Sequence, residues 1–142
     1  MVSIMASIKQ ISRCSTLYRA EALEQEKLGG YQQSYLLTIC ENPGITQDEL
    51  AQTIHVNKSN AARQAAALEE GGFIIRLPGK TDRRQQCAYP TEKGKRLYPA
   101  VRQVLEEWSE QLLEGFTEEE RRTLDEMLKK ISSRAAKLIA RP

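Results

Sequence analysis

Hydrophobic residues recur at steps of three and four near both ends of the chain, a spacing that predicts long amphipathic helices. At the N-terminal end, the pattern predicts a helix from residue 4 to about residue 26 and a second helix over Tyr31 to Cys40. Towards the C-terminal end, Thr91 and Thr117 each precede another long helix, because threonine commonly caps the first turn.

A segment of shorter elements lies between these helices. Thr46 followed by Glu49 is a capping box that begins a short helix, and Asn57 caps a second helix that ends at Gly71 and Gly72. Two short helices joined by a tight turn predict a helix-turn-helix unit.

Two short runs typical of β-strands follow, Phe73 to Leu77 and Gln85 to Tyr89, with the turn-rich loop Pro78 to Arg84 between them. We therefore predict a mainly α-helical chain with a small β-wing. Its centre is a winged helix-turn-helix domain, a layout used to read DNA, and long dimerisation helices flank it at both ends.

The predicted organisation has three parts: an N-terminal dimerisation helix in residues 1–28, a DNA-binding domain in residues 29–96 and C-terminal dimerisation helices in residues 97–142. The flanking helices carry more hydrophobic surface than a central domain of roughly 50 residues can cover. A two-fold homodimer would bury that surface. A helical hairpin within a monomer is the alternative.

The basic residues are concentrated on the central segment. Nine lysines and arginines and six acidic residues lie between Thr46 and Arg96, although the formal charge of the whole chain is only +2. A local positive excess is expected where a protein meets the phosphates of double-stranded DNA. A solvated charged face would show the same small excess.

On a helical wheel of about 100° per residue, the helix after Asn57 has two faces. Ala61, Ala65 and Leu68 fall together and are predicted to face the core. The opposite face is small and polar, which suits a helix lying close in a major groove, where Asn and Arg can contact adenine and guanine edges. The candidate DNA contacts on this helix are Lys58, Ser59, Asn60 and Arg63.

The predicted wing tip is crowded with cations. It is expected to hold Arg76, Lys80, Arg83 and Arg84, with Asp82 among them. The aspartate can pair with an arginine, fix the loop and direct the other cations. A guanidinium on a thin ribbon fits a narrow minor groove, where the negative potential is strongest. A mobile, merely soluble loop is the alternative.

The sequence offers no catalytic or metal-binding constellation. Its one histidine, His55, falls in the turn between the two short helices, where a left-handed backbone is often needed. The three cysteines are too widely spaced for a zinc motif or a disulfide framework. We therefore expect no enzymatic activity, no metal and no cofactor.

Hydropathy and composition indicate a cytoplasmic protein without a membrane partner. No apolar run approaches the roughly 18 residues of a membrane span, and the N-terminal residues lack the pattern of a signal peptide. With 28% charged and 40% hydrophobic residues, the composition is that of an ordinary globular chain.

Together these motifs resemble the multiple-antibiotic-resistance regulator (MarR) family, and the resemblance covers essentially the whole chain. The matching residues are Ile45 to Ala51, Lys58-Ser59, Arg63, Leu68-Glu69, Gly72-Phe73-Ile74, Asp82-Arg83-Arg84 and Thr91 to Gly94. The resemblance implies a homodimer on a pseudo-palindromic operator, which usually represses nearby genes. It also implies that Asp82 orients the wing and that Arg84 enters the minor groove.

The chain departs from the usual family pattern in the reading helix and beside it. Asn60, Ala61 and Ala62 stand where the family usually shows Thr, an aliphatic residue and Thr or Ser. His55 replaces the usual Gly, and Pro90 replaces an aliphatic residue. Fewer hydroxyl groups imply different base contacts, so the operator sequence cannot be carried over.

The resemblance further implies release from DNA by a small phenolic or lipophilic effector, or by thiol oxidation. The effector pocket would lie between the dimerisation helices and the winged domain, lined by Tyr18, Tyr31, Tyr35 and Trp108. Ordinary core packing is the competing explanation for these aromatic residues.

Two other functions stay open. Cys14 lies about where hydroperoxide-sensing family members carry a reactive cysteine, so the chain could be a thiol-based peroxide sensor; a buried, inert thiol is the competing explanation. The second alternative is a winged-helix protein-interaction adaptor that binds no DNA.

Overall fold

The computed structural model describes residues 3–140, which form six α-helices and one three-stranded antiparallel sheet. This architecture confirms the predicted mainly α-helical fold with a small β-wing. The chain forms two compact units, one ending at Trp108 and the other beginning at Ser109. The elements are α1 (Ile4–Ala22), a 3₁₀ helix (Glu24–Glu26), α2 (Gly30–Glu41), β1 (Ile45–Thr46), α3 (Gln47–Ile54), α4 (Lys58–Glu70), β2 (Ile74–Pro78), β3 (Gln86–Pro90), α5 (Glu92–Leu112) and α6 (Glu118–Ile139).

The helix ends follow the local capping chemistry. Thr46 Oγ1 accepts the backbone N–H of Glu49 at 3.1 Å and Asn57 Oδ1 accepts that of Asn60 at 2.7 Å, so α3 and α4 begin where the sequence predicts. A second capping box, at Thr117, begins α6. His55 ends α3 with φ 63° and ψ 48°, which confirms the predicted left-handed backbone.

Helix α1 ends about four residues earlier than the sequence predicts. The chain leaves α-helical geometry at Leu23, passes through the 3₁₀ helix, and turns at Lys27, whose φ of 57° is left-handed. This path lets both Leu23 and Leu28 enter the core, where their exposed fractions are 8% and 1%. Burial of these two side chains explains why the hydrophobic periodicity alone misplaced the end of the helix.

The sheet contains one strand more than the predicted two-stranded ribbon. Strand β3 lies in the centre and pairs antiparallel with both β1 and β2, for example Ala88 with Ile45 and with Arg76. At two residues, β1 is too short to show a strand pattern in the sequence. It ties the start of α3 to the base of the wing.

Two glycines allow neighbouring elements of the first unit to approach closely. A Cβ atom on Gly30 would lie 2.2 Å from the carbonyl oxygen of Thr16, and one on Gly94 would lie 2.2 Å from that of Phe73. The first contact brings α2 against α1, and the second brings α5 against the residue before β2. The core of this unit is built mainly from Leu28, Tyr35, Leu36, Ile39, Leu50, Ala61, Ala65, Leu68, Ile74 and Val101, each at most 1% exposed.

Arg76 corrects the prediction that placed it at the wing tip. It lies in the middle of β2, and its side chain is only 23% exposed. Its Nη2 atom donates to Glu69 Oε1 at 3.0 Å, its backbone N–H donates to Glu69 Oε2 at 2.9 Å, and its Nη1 atom donates to Gln47 Oε1 at 3.0 Å. We call this set of contacts the Arg76 brace; it joins β2 to the end of α4 and the start of α3.

The Arg76 brace also changes the pKa of Glu69, whose carboxylate it contacts. The hydrogen bond from the Arg76 side chain lowers the pKa of Glu69, although burial acts in the opposite direction. A lowered pKa means that folding is stabilised above the ordinary glutamate value of 4.5. That stabilisation is lost as the pH falls through the lowered value.

None of the helices within residues 3–140 is long and apolar enough to cross a membrane.

We predict that Gly30→Ala lowers the free energy of unfolding by about 1–3 kcal/mol, because its methyl group meets a backbone oxygen that cannot move independently. Gly29→Ala is the matched control. A Cβ atom there comes no closer than 4.0 Å to Gln32 Oε1, so we expect a change within about 0.5 kcal/mol. Urea denaturation of both variants measures the difference, and equal stability would contradict the close contact between α1 and α2.

We predict that Arg76→Met lowers the free energy of unfolding by about 1–2 kcal/mol at neutral pH, because it removes a largely buried charge-assisted contact. The loss should shrink as the pH falls below 4.5, where the unfolded chain begins to take up the proton, and should vanish once the pH has fallen through the lowered pKa of Glu69. Arg83→Met, at the exposed tip, should change stability by less than about 0.5 kcal/mol. Denaturant titrations across this pH range test all three statements; a pH-independent loss would show that Glu69 is not the partner that matters.

Candidate nucleic-acid interface

Helix α4 has the two faces that the sequence predicts. Ala61, Ala65 and Leu68 are fully buried against the core. Arg63 is exposed on the other side, and no ion pair engages it within residues 3–140. A helix with such a small outer surface and a free guanidinium can lie deep in a major groove.

The first turn of α4 carries Lys58 and Ser59, both exposed. Lys58 Nζ lies 3.5 Å from Asp48 Oδ2, with both side chains more than half exposed, so DNA phosphates could readily compete for the ammonium group. Ser59 Oγ donates to Asn57 Oδ1 at 2.9 Å and thereby supports the cap. Both side chains lie at the N-terminus of α4, where the free backbone N–H groups of a helix favour anions.

Asn60 lies in the same turn but is half-buried, and tyrosines of α2 engage its side chain. The hydroxyl of Tyr35 donates to Asn60 Oδ1 at 2.5 Å, and that of Tyr31 lies 3.5 Å from the same oxygen. The side-chain oxygen of Asn60 is therefore engaged by α2 within the protein and does not face solvent freely. The sequence alone gave no sign of this link.

The loop between β2 and β3 is narrow and internally bonded. The backbone N–H of Gly79 donates to the carbonyl of Gln85 at 2.8 Å, and that of Gln85 donates to the carbonyl of Asp82 at 3.1 Å. A Cβ atom on Gly79 would lie 2.5 Å from the carbonyl oxygen of Asp82, so only glycine allows the loop to close this tightly. These contacts give the tip a defined path.

Asp82 pairs with one arginine at this tip, Arg84. Its Oδ1 atom accepts the backbone N–H of Arg84 at 3.0 Å and the Nε–H at 3.3 Å. The Arg84 side chain is 93% exposed, and its two terminal amino groups make no further contact within residues 3–140. Lys80 and Arg83 are exposed beside it. The tip thus presents three cations. Asp82 holds one of them, Arg84, through the Nε atom of its guanidinium.

The four candidate pocket aromatics form two separate pairs. The ring centroids of Tyr18 and Trp108 lie 5.0 Å apart, and those of Tyr31 and Tyr35 lie 5.5 Å apart. Tyr35 is fully buried, whereas 42% of Tyr31 is exposed. Burial raises the pKa of the Tyr35 hydroxyl, so it keeps its proton and acts as a donor at neutral pH.

Two buried polar residues near these aromatics were missed by the sequence analysis. Arg19 is 9% exposed; its Nη1 atom donates to Ser34 Oγ at 2.8 Å, and burial lowers its pKa. Gln33 is fully buried and donates to the carbonyl of Arg19 at 2.6 Å, while its Oε1 atom has no hydrogen-bond partner in the described part of the chain. Hydrophobic periodicity cannot reveal polar residues that are buried between helices.

The three cysteines are free in the described structure. Cys14 is exposed on α1, so the fold of the single chain does not bury this thiol. The Cys40 thiol is half-buried, and burial raises its pKa. Within residues 3–140, no group of three or more His, Cys, Asp or Glu side chains could hold a metal ion.

Comparisons with known proteins agree with this geometry. The family model described as MarR family matches residues 31–85, which include α3, α4 and most of the wing. The HTH-type transcriptional regulator YybA of Bacillus subtilis is 43% identical over 97 residues, which are 68% of this chain but only 65% of that relative.

Solved structures match over nearly the whole chain. The transcriptional regulator SlyA is 31% identical with a TM-score of 0.91, and the match covers 96% of each chain. A MarR family transcriptional regulator from Listeria monocytogenes, crystallised with a 26mer DNA, is 33% identical with a TM-score of 0.89 over 96% of this chain and 91% of that one. By these similarities in sequence and structure, the chain belongs to the MarR family of transcriptional regulators.

Proposed function

We propose that this regulator is a homodimer that binds a pseudo-palindromic operator in double-stranded DNA, acts as a repressor in the cytoplasm, and is released by a small effector. The observation that carries the proposal is the exposed guanidinium of Arg84, which Asp82 holds at the wing tip, together with the small outer face of α4. The relative from Listeria monocytogenes that was crystallised with DNA supports it.

The wing would supply the minor-groove contact. In the Arg84 side chain, Asp82 contacts only Nε, so the two terminal amino groups stay exposed and available as donors. Such a narrow cationic tip matches the negative potential of a narrow minor groove. Lys80 and Arg83 would contact the flanking phosphates, which adds affinity without sequence preference. Arg76 has no part in this contact, because the brace already uses its guanidinium.

Helix α4 would supply the major-groove contact. Arg63 can donate to both O6 and N7 of a guanine, the commonest specific contact in the major groove. Lys58 and Ser59 in the first turn would hold the helix on the phosphates. This division of labour predicts one set of residues that sets affinity and another that sets sequence preference.

Exposed hydrophobic residues favour a second copy of the chain as the dimer partner. Helix α1 exposes Ile4, Met5, Ile8 and Ile11, and helix α6 exposes Met127, Leu128, Ile131 and Leu138. In each helix these residues recur mainly at steps of three and four and therefore form a stripe. Burying both stripes against a two-fold partner would remove them from water and would match the symmetry of a pseudo-palindrome.

The effector would be a small aromatic molecule. The tyrosines of α2 and the Tyr18–Trp108 pair offer ring surfaces, and the guanidinium of Arg19 is buried without a carboxylate partner in residues 3–140. A phenolic or carboxylated ring fits both features. The alternative of a thiol-based sensor has less support, because no cation contacts the exposed sulfur of Cys14 within the described residues.

We predict that Arg84→Ala weakens binding to operator and unrelated DNA alike. The magnitude of the slope of log K against log salt should decrease by about 1, since the cation lost from the minor groove no longer displaces condensed counterions. Arg122→Ala, which removes an exposed arginine of α6, is the control and should leave the slope unchanged. Fluorescence anisotropy at several salt concentrations measures both variants. If the wild-type protein binds no DNA fragment at low salt, the hypothesis of a protein-interaction adaptor replaces that of a DNA-binding regulator.

We predict that Ile131→Arg shifts the protein from dimer to monomer, because it places a charge in the exposed hydrophobic stripe of α6. Ser133→Arg adds the same charge on the opposite face of that helix and should leave the dimer intact. Sedimentation velocity over a range of concentrations separates the two results. A monomeric wild type, or equal behaviour of both variants, would contradict the proposed partner surface.

A further inference from the structure

Asn60 lies in the first turn of the proposed reading helix, where an asparagine would ordinarily be expected to recognise adenine. That recognition is bidentate: the side-chain oxygen accepts the N6 amino group, and the side-chain nitrogen donates to N7. It requires an available oxygen. The inference below rests on the proposed function, since it assumes that α4 lies in the major groove.

The oxygen of Asn60 is already occupied by the protein. The hydroxyls of Tyr35 and Tyr31 converge on Oδ1 at 2.5 Å and 3.5 Å, and a carbonyl-type oxygen has two lone pairs to offer. The buried Tyr35 ring has little freedom to withdraw from this contact. The shorter bond therefore persists unless the buried ring itself moves.

We propose that Tyr35 determines base preference by holding Asn60 as a group that can only donate hydrogen bonds. With Oδ1 occupied, only the Nδ2 amino group can face DNA. It can donate to a phosphate, to N7 of either purine, to O6 of guanine or to O4 of thymine, but it cannot complete the bidentate adenine contact, because no oxygen is left to accept the N6 amino group. Tyr35 is thus a positioning residue that acts on DNA through Asn60.

This arrangement changes the expected specificity of the helix. Arg63, one helical turn further on, also presents donors only. With Asn60 restricted to donation, both side chains favour base edges rich in acceptors and select against adenine and cytosine, whose amino groups would face another donor. An unrestricted asparagine at the same position would select adenine.

The test is selection of bound sequences from a DNA library, with quantitative sequencing, for the wild type, Tyr35→Phe and Tyr98→Phe. Tyr35→Phe keeps the buried ring and removes only the hydroxyl. We expect preference for adenine to rise about tenfold at one symmetry-related pair of positions, with other positions unchanged. Tyr98→Phe removes a hydroxyl whose hydrogen-bond partner within residues 3–140 is Arg102 on α5, and it should change nothing.

The double variant Tyr35→Phe with Asn60→Ala tests whether Tyr35 acts on base preference through Asn60. It should lose the adenine preference that Tyr35→Phe gains, because no asparagine is left to make the contact. Asn60→Ala alone gives a second readout if Tyr35→Phe folds poorly. It should weaken the wild-type preference for guanine or thymine at the same positions and leave preference elsewhere intact.

Failure of this inference can be separated from failure of the proposed function. If Tyr35→Phe has the wild-type preference at every position while Arg63→Ala relaxes one position, the inference is wrong and DNA reading by α4 stands. A wild-type preference for adenine or cytosine at the Asn60 position also overturns it. If neither Arg63→Ala nor Asn60→Ala alters any preference, α4 does not read the major groove and both proposals fall.

Discussion

The geometry of the proposed DNA-binding surface depends on one guanidinium group, that of Arg76. A guanidinium is planar and carries its five donors in a fixed arrangement, so it holds several partners at defined angles. Here its partners belong to the last turn of α4 and the first residue of α3, while its own backbone belongs to β2. The wing cannot swing relative to the reading helix without breaking these bonds. The proposed minor-groove and major-groove contacts would therefore be made together, without a prior step that orders the wing.

The same pairing of arginine with a carboxylate occurs at the wing tip, but its physical role differs there. The Arg76 side chain is 23% exposed, whereas that of Arg84 is 93% exposed. Water and salt screen the exposed pair, so it adds little to folding. What Asp82 contributes is a fixed position: it contacts the guanidinium at Nε and leaves the terminal amino groups exposed for the proposed DNA contact. The difference in burial thus distinguishes Arg76, which stabilises the fold, from Arg84, which is exposed and available to a ligand.

Local features of the sequence predicted much of this fold, because they depend on residues only a few positions apart. The Thr46 capping box, the Asn57 cap and the left-handed His55 all follow from their neighbours. Contacts across longer separations could not be read in the same way. Arg76 meets Gln47 from 29 residues away, and Asn60 meets Tyr35 from 25 residues away. Both side chains looked like free surface groups until the packing of the elements was known.

The central claim is that two wings and two reading helices engage one operator symmetrically, and hydroxyl-radical footprinting tests it most directly. The regulator should protect two minor-groove patches symmetrically about a centre, flanking major-groove contacts about one helical turn of roughly 34 Å apart. A footprint confined to one half of the site, or one without minor-groove protection at its outer edges, would contradict the account.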